Sequence, residues 1–231
     1  MEKKKPEKHV HFFKLVDSFS AAGCPFCFYV QNRMQRYFET LLYEGVNDRA
    51  FRRKFNAAGG FCKRHVGQLG SYNDGLAVAI LYQPILEKAV SKGAPRPRGV
   101  AGLRGVAGTF RASRTSRGRK AAVCPACEAE AASRDAYVRV FTHFVEDDEL
   151  AAAYGHSPGF CHPHYRQITA SLTSVPEWLE DAQAKALSQL ADGVDRLIEF
   201  SNFTGEAATN LSREDQLVWK RLIRRLYGEP E

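Results

Sequence analysis

The sequence predicts an all-α protein made of two tandem similar helical units, each pinned by a Cys3His metal site. Three observations predict it. All six cysteines fall into two copies of one pattern: Cys24-Pro25-Phe26-Cys27 with Gly60-Phe61-Cys62-Lys63-Arg64-His65, and Cys124-Pro125-Ala126-Cys127 with Gly159-Phe160-Cys161-His162-Pro163-His164. The copies share their spacing, 34 residues between Cys27 and Cys62 and 33 between Cys127 and Cys161. Elsewhere apolar residues recur at steps of three and four, and β-strand alternation is nowhere convincing.

The elements follow in order. The start, MEKKKPEKHVHFF, is charged and reads as a frayed terminus in which His9 and His11 carry little signal. After the first Cys-Pro-x-Cys, residues Phe28, Val30, Met34, Tyr37, Phe38, Leu41 and Leu42 form one helical stripe. Helices are then expected at roughly 47 to 56, 62 to 70 and 74 to 91, several opened by Asn, Asp, Ser or Pro. After the second motif Ala129, Ala132, Ala136, Val140, Phe141 and Phe144 form the equivalent stripe in an Ala-rich, helix-favouring context. Further helices are expected at roughly 147 to 154, 162 to 171, 177 to 202 and 213 to 227. The last is capped by Ser212 and places Leu217, Val218, Leu222, Ile223 and Leu226 on one stripe, with Lys220, Arg221, Arg224 and Arg225 elsewhere. A basic amphipathic helix can bind an acidic protein groove or an anionic membrane, but this one reads first as a helix docked on the core with a solvated basic face, and Trp178 and Trp219 as core or interface residues.

Residues 91 to 120 hold nine Lys or Arg and no Asp or Glu, broken by glycines and prolines. They account for the formal charge of +7, since the remaining 24 basic and 26 acidic residues leave the rest of the chain at −2. The expected organisation is an N-terminal metal-binding unit over 1–90, a flexible basic linker over 91–120 and a C-terminal metal-binding unit over 121–231.

The cysteine pattern carries the chemistry. Two cysteines three residues apart aim their sulfurs at one centre from a tight turn that proline stiffens. A Cys-x-x-His pair does the same from the start of a helix, whose positive end favours thiolates. Three thiolates and one imidazole fill a tetrahedral shell with no position left for water. The expected sets are Cys24, Cys27, Cys62 and His65, and Cys124, Cys127, Cys161 and His164, holding two Zn²⁺. An iron–sulfur cluster is the alternative, because thiolate softness does not separate zinc from iron. Metal-free dithiol redox chemistry is a third reading, since Cys-Pro-x-Cys also resembles the turn of glutaredoxin-like proteins. That fold needs a strand before the motif and has no use for Cys-x-x-His. Repeat alignment selects His164 over His156 and His162. The Gly-Phe before each Cys-x-x-His reads as backbone slack and an aromatic plug, and His143 as a partly buried non-ligand.

The doubled plan, CPFC with GFCKRH and CPAC with GFCHPH, resembles a family of bacterial and archaeal proteins of about this size, known chiefly as a domain of unknown function. The resemblance spans nearly the whole chain and implies the paired-site plan, with no activity attached; the arginine-rich insert departs from it.

No run approaches the ~20 apolar residues of a bilayer span, and the lysine-rich start lacks the apolar stretch of a signal peptide. A cytoplasmic location is expected, where paired cysteines serve as metal ligands more than as disulfides. No Gly-rich phosphate loop, nucleophile elbow or His-Glu-x-x-His motif is present, so the chain reads as non-enzymatic. The expected function is a zinc-stabilised helical binding or regulatory protein whose partner is a protein or a nucleic acid. The nucleic-acid version would use Arg96, Arg98, Arg104, Arg111, Arg114, Arg117, Arg119 and Lys120 of the linker. The alternative is an iron–sulfur or thiol-based redox sensor.

Overall fold

The computed structural model describes residues 7–91, 122–202 and 212–228. The 3.6-residue periodicity is realised throughout, and the described residues contain helices and no strand. In chain order the helices are α1 (Val10–Ser18), α2 (Pro25–Tyr43), α3 (Arg49–Ala58), α4 (Lys63–Gly70), α5 (Gly75–Ser91), α6 (Pro125–His143), α7 (Asp148–Gly155), α8 (His162–Thr169), α9 (Glu177–Asn202), α10 (Arg213–Gln216) and α11 (Val218–Tyr227), with a 3₁₀ turn at Gly45–Asn47. Local chemistry sets their ends. Asp48 accepts the Ala50 N–H at 2.7 Å to open α3, and Asp147 accepts from Glu149 and Leu150 to open α7. Gly59 closes α3 in the left-handed conformation, φ 75°.

Two expectations for the chain ends are corrected. From Val10 the chain is helical and not frayed: Phe12, Leu15 and Ser18 put a buried stripe on α1, and Phe12 packs on Phe144 with ring centroids 4.7 Å apart. The C-terminal helix is two, α10 and α11, parted at Leu217, which leaves helical geometry at φ −104°, ψ 3°.

The chain forms two compact units. One comprises the described residues within Met1–Gln35 and Glu130–Glu231, the other those within Arg36–Ala129. The first holds α1, the start of α2, most of α6, and α7 to α11. Its core is aromatic: Phe26 stacks on Tyr137, and Phe141, Tyr154 and Phe160 meet edge-on or tilted. α9 packs against α7, α10 and α11, and α11 also against α8. The second unit holds the end of α2, α3 to α5 and the first turn of α6. Phe38, Phe55 and Phe61 form its centre, with Tyr82 edge-on to Phe55. These units cut across the sequence repeat: α2 begins in one and ends in the other, and so does α6.

Candidate metal centres

Each half-site is a helix N-terminus. Cys24 and Cys124 precede Pro25 and Pro125, the first residues of α2 and α6, where a missing N–H costs nothing and the fixed φ suits the helix. The Cys24 and Cys124 carbonyls accept the first helical hydrogen bonds, from Phe28 and Glu128. Cys62 and Cys161 are the N-caps of α4 and α8, extended at φ −67° in both. In every half-site the second candidate ligand lies three residues on, within the first helical turn.

The structure brings these half-sites together in a grouping different from the repeat-wise one. Cys24 and Cys27 meet Cys161 and His164, while Cys62 and His65 meet Cys124 and Cys127. Each group therefore takes its Cys-Pro-x-Cys from one sequence repeat and its Cys-x-x-His from the other. The expectation that the ligands of each site come from one half is overturned; all eight residues are nonetheless used, four to a group.

The geometry is that of a coordination shell. In each group the four donor atoms lie within 4.8 Å of one another. In the first, His164 Nδ1 is 3.6, 3.3 and 3.1 Å from the sulfurs of Cys24, Cys27 and Cys161, and Cys27 Sγ is 3.9 Å from Cys161 Sγ. In the second, His65 Nδ1 is 3.3, 3.6 and 3.4 Å from Cys62, Cys124 and Cys127, and Cys62 Sγ is 3.7 Å from Cys127 Sγ. A tetrahedral ion with metal–sulfur bonds of about 2.3 Å and a metal–nitrogen bond of about 2.0 Å spaces its ligands roughly 3.8 Å sulfur to sulfur and 3.5 Å sulfur to nitrogen. Both groups fit such an ion.

Charge leads to the same demand. Three thiols with no cation among them do not all ionise. Burial opposes ionisation of Cys24, but hydrogen bonds from Cys161, Cys27 and His164 outweigh it and hold the thiol well below its usual range. Its neighbour Cys161, hydrogen-bonded to Cys24, is pushed up to about 12. In the second group burial opposes ionisation of Cys62, yet its backbone and side-chain hydrogen bonds lower it, whereas burial and the neighbouring Cys62 and Cys124 push Cys127 up to about 12. A divalent cation, aided by two helix N-termini aimed at each group, would let every sulfur ionise.

The supports of the two centres differ. At the first, Phe26 stacks on the His164 ring with centroids 4.0 Å apart, and the loop before Cys161 is clamped from several sides. Gln183 accepts the Phe160 N–H at 3.0 Å and donates to its carbonyl at 2.9 Å, Tyr154 Oη accepts the same N–H at 3.1 Å, and Arg225 donates to the carbonyls of Phe160 and Pro158. Gly159 is left-handed at φ 81°, and a Cβ there would lie 2.8 Å from Gln183 Oε1. Gly228, at the end of α11, stands where a Cβ would be 3.7 Å from both Cys27 and Cys161 Sγ. A cavity of about 50 Å³, lined among others by Cys24, Cys161, Arg221, Arg224 and Arg225, opens beside this centre. At the second centre position 126 is an alanine, and the Phe61 N–H bonds the Tyr82 hydroxyl at 3.4 Å. Gly60 is left-handed at φ 98°. The Gly-Phe expectation holds at both: glycine supplies the turn and the phenylalanine is buried. Cys24, Cys27 and Cys161 are buried, whereas Cys62, Cys124 and Cys127 are partly exposed.

Among the other histidines, His156 bonds the Ala152 carbonyl at 2.8 Å, and His162 and His143 are exposed; none joins a group. Sequence reasoning missed Gln183 and Arg225, which are remote in sequence from the cysteine motifs, and Tyr154, which lies six residues before Phe160; the glycine before Phe160 was the local sign that this loop needs holding. Arg96, Arg98, Arg104, Arg111, Arg114, Arg117, Arg119 and Lys120 lie outside the described residues. No helix among the described residues is long and apolar enough to cross a membrane.

An uncharacterized 23.9 kDa protein from the xynA 3' region of Caldicellulosiruptor sp. (strain Rt8B.4) is 25% identical over 189 residues, covering 80% of this chain and 81% of its own length. No solved structure matches the chain. The family model matches residues 7–195, through both candidate centres, and the chain belongs to that family of unknown function, DUF6062.

Proposed function

We propose that the protein is a non-catalytic helical scaffold whose two Cys3His centres each hold one Zn²⁺ and which acts by binding a partner. One observation carries the reading: in both groups four protein donors close a tetrahedron of single-ion size. A filled shell leaves no coordination position for a substrate or a water nucleophile, which is the arrangement of a structural ion. Each centre ties segments more than a hundred or some sixty residues apart, Cys27 to Cys161 and Cys62 to Cys127. Binding energy of the ion is therefore folding energy. The same compactness speaks against a cluster, in which the ligands sit on different irons and the sulfurs must spread beyond the edge of one tetrahedron. In this reading the basic segment 91–120 offers a second, salt-sensitive contact for nucleic acid, supported by its nine unopposed charges.

Elemental analysis with a visible spectrum on protein purified without oxygen tests it. The expected result is about two zinc per chain and a colourless solution. Iron with sulfide and a brown colour would replace the scaffold with a redox or sensing role, and protein that is folded and metal-free would return the cysteines to thiol chemistry.

A further inference from the structure

The two centres carry the same donor set and differ in how the sulfurs are covered. At the first, Cys24, Cys27 and Cys161 are 5, 7 and 0% exposed. Phe26 stacks on both Tyr137 and His164, and Gly228 at the end of α11 abuts the Cys27 and Cys161 sulfurs. The Phe160 N–H has two acceptors, Gln183 at 3.0 Å and Tyr154 at 3.1 Å, which fix the loop that delivers Cys161.

At the second centre each of these covers is weaker. The repeat position of Phe26 is Ala126, and the Phe61 N–H meets the Tyr82 hydroxyl at 3.4 Å. Cys62, Cys124 and Cys127 are all partly exposed, while the imidazole of His65 is fully buried. The side of this shell that solvent reaches is therefore its sulfur side. A sulfur bound to zinc is a thiolate, and a thiolate within reach of solvent is the nucleophile that attacks peroxide oxygen. Such an attack takes place at sulfur and needs no open position on the metal. A second sulfur stands ready to complete it: Cys62 Sγ lies 3.7 Å from Cys127 Sγ, so a disulfide of about 2 Å requires the pair to close by less than roughly 2 Å.

We propose that the second centre is an oxidation site for hydroperoxides, at which Cys62 and Cys127 close to a disulfide and expel the ion while the first centre keeps its own. One thiolate attacks the terminal peroxide oxygen; an S–O bond forms, the O–O bond breaks, and the departing oxygen takes up a proton and leaves as water or an alcohol. The other thiolate attacks the resulting sulfenic sulfur; the S–S bond forms, the S–O bond breaks, and the hydroxide released is protonated to water. In sum two thiolates lose two electrons, the peroxide gains them, and two protons are consumed. Cys124 and His65 remain, two ligands where the ion requires four. The inference rests on the zinc reading of both centres and deepens it, giving the second a chemistry that the cover of the first prevents.

Hydrogen peroxide added to the full chain, after its zinc has been counted by elemental analysis, tests the proposal. A metallochromic dye follows released zinc, and peptide mapping by mass spectrometry locates the disulfide. One equivalent should leave at a rate proportional to peroxide and about tenfold or more faster than the other, since susceptibility follows exposure of the thiolate. Cys62 should then be linked to Cys127 with Cys24, Cys27 and Cys161 intact, and a thiol reductant with added zinc should restore the starting content. Release of both equivalents at one rate overturns the proposal, as does release no faster than with dye alone, which would mean a weakly held ion and no reaction with peroxide. Linkage of any other pair, or oxidation to sulfinate with no disulfide, likewise overturns it. Protein that contains no zinc before peroxide is added would refute the scaffold reading itself, and this inference with it.

Discussion

Cysteine replacements made in pairs read the crossed grouping directly. Cys24→Ser with Cys161→Ser removes two donors from one centre, because both sulfurs face His164 Nδ1, at 3.6 and 3.1 Å. Cys24→Ser with Cys62→Ser removes one donor from each centre, since Cys62 faces His65 instead, at 3.3 Å. A structural zinc site is worth about 10–16 kcal/mol. One donor of four therefore carries roughly 3 kcal/mol or more, a loss of at least about a hundredfold in affinity. Dialysis against a chelator whose affinity falls between the intact and three-donor sites, followed by elemental analysis, converts that loss into a count. The Cys24/Cys161 variant should retain about one metal per chain and the Cys24/Cys62 variant about none, by the one-ion-per-shell stoichiometry. Melting should follow: the first pair damages one unit, and the second both. The reverse counts, with metal kept by Cys24/Cys62 and lost entirely by Cys24/Cys161, would refute the crossed geometry and restore the repeat-wise sets.

Four further outcomes are expected. Because Cys62, Cys124 and Cys127 are partly exposed and Cys24, Cys27 and Cys161 are buried, a strong chelator should strip the centre of Arg36–Ala129 first, seen as biphasic metal release in which Cys124→Ser abolishes the fast phase. Gly159→Ala should lower stability by about 1–3 kcal/mol in thermal melts, through strain at φ 81° and collision with Gln183; Gly67→Ala, mid-helix with open space around its Cβ position, should raise it by roughly 0.5–1 kcal/mol. Asp147 is opposed by burial but held below the ordinary carboxylate range by Lys8 and the α7 N–H groups. A depressed folded pKa gives stability that is present above the unfolded value of 3.8 and lost as pH falls through the folded one. Asp147→Ala should thus cost about 1–2 kcal/mol near neutrality, a difference from the parent that shrinks below pH 4 in acid denaturation curves.

Periodicity and capping are local, so most of the fold was legible from the chain. Expected helices at 62 to 70 and 177 to 202 correspond to α4 at Lys63–Gly70 and α9 at Glu177–Asn202. α1 was missed because its stripe of Phe12 and Leu15 sits among lysines and histidines, and its order comes from Phe144, far along the chain. On α11 the pattern placed Ile223 and Leu226 with Val218 and made Trp219 a core or interface residue; packing kept only Val218 buried, since Arg225 turns the helix edge toward the Phe160 carbonyl.

By itself the sequence determined the eight candidate ligands, their local geometry and the helical class, because a cysteine at a helix start with a second candidate donor three residues on presents the same two-pronged half-site wherever it occurs. Only the tertiary structure decided which half-sites meet. All four are locally equivalent, and spacings of 34 and 33 residues favour neither pairing. The decision lies in α2 and α6, each 19 residues and so about 28 Å long: each leaves its own Cys-Pro-x-Cys at one end and delivers the chain to the other compact unit, where Phe38, Phe55 and Phe61, or Phe141, Tyr154 and Phe160, hold the next Cys-x-x-His beside the other repeat's cysteines.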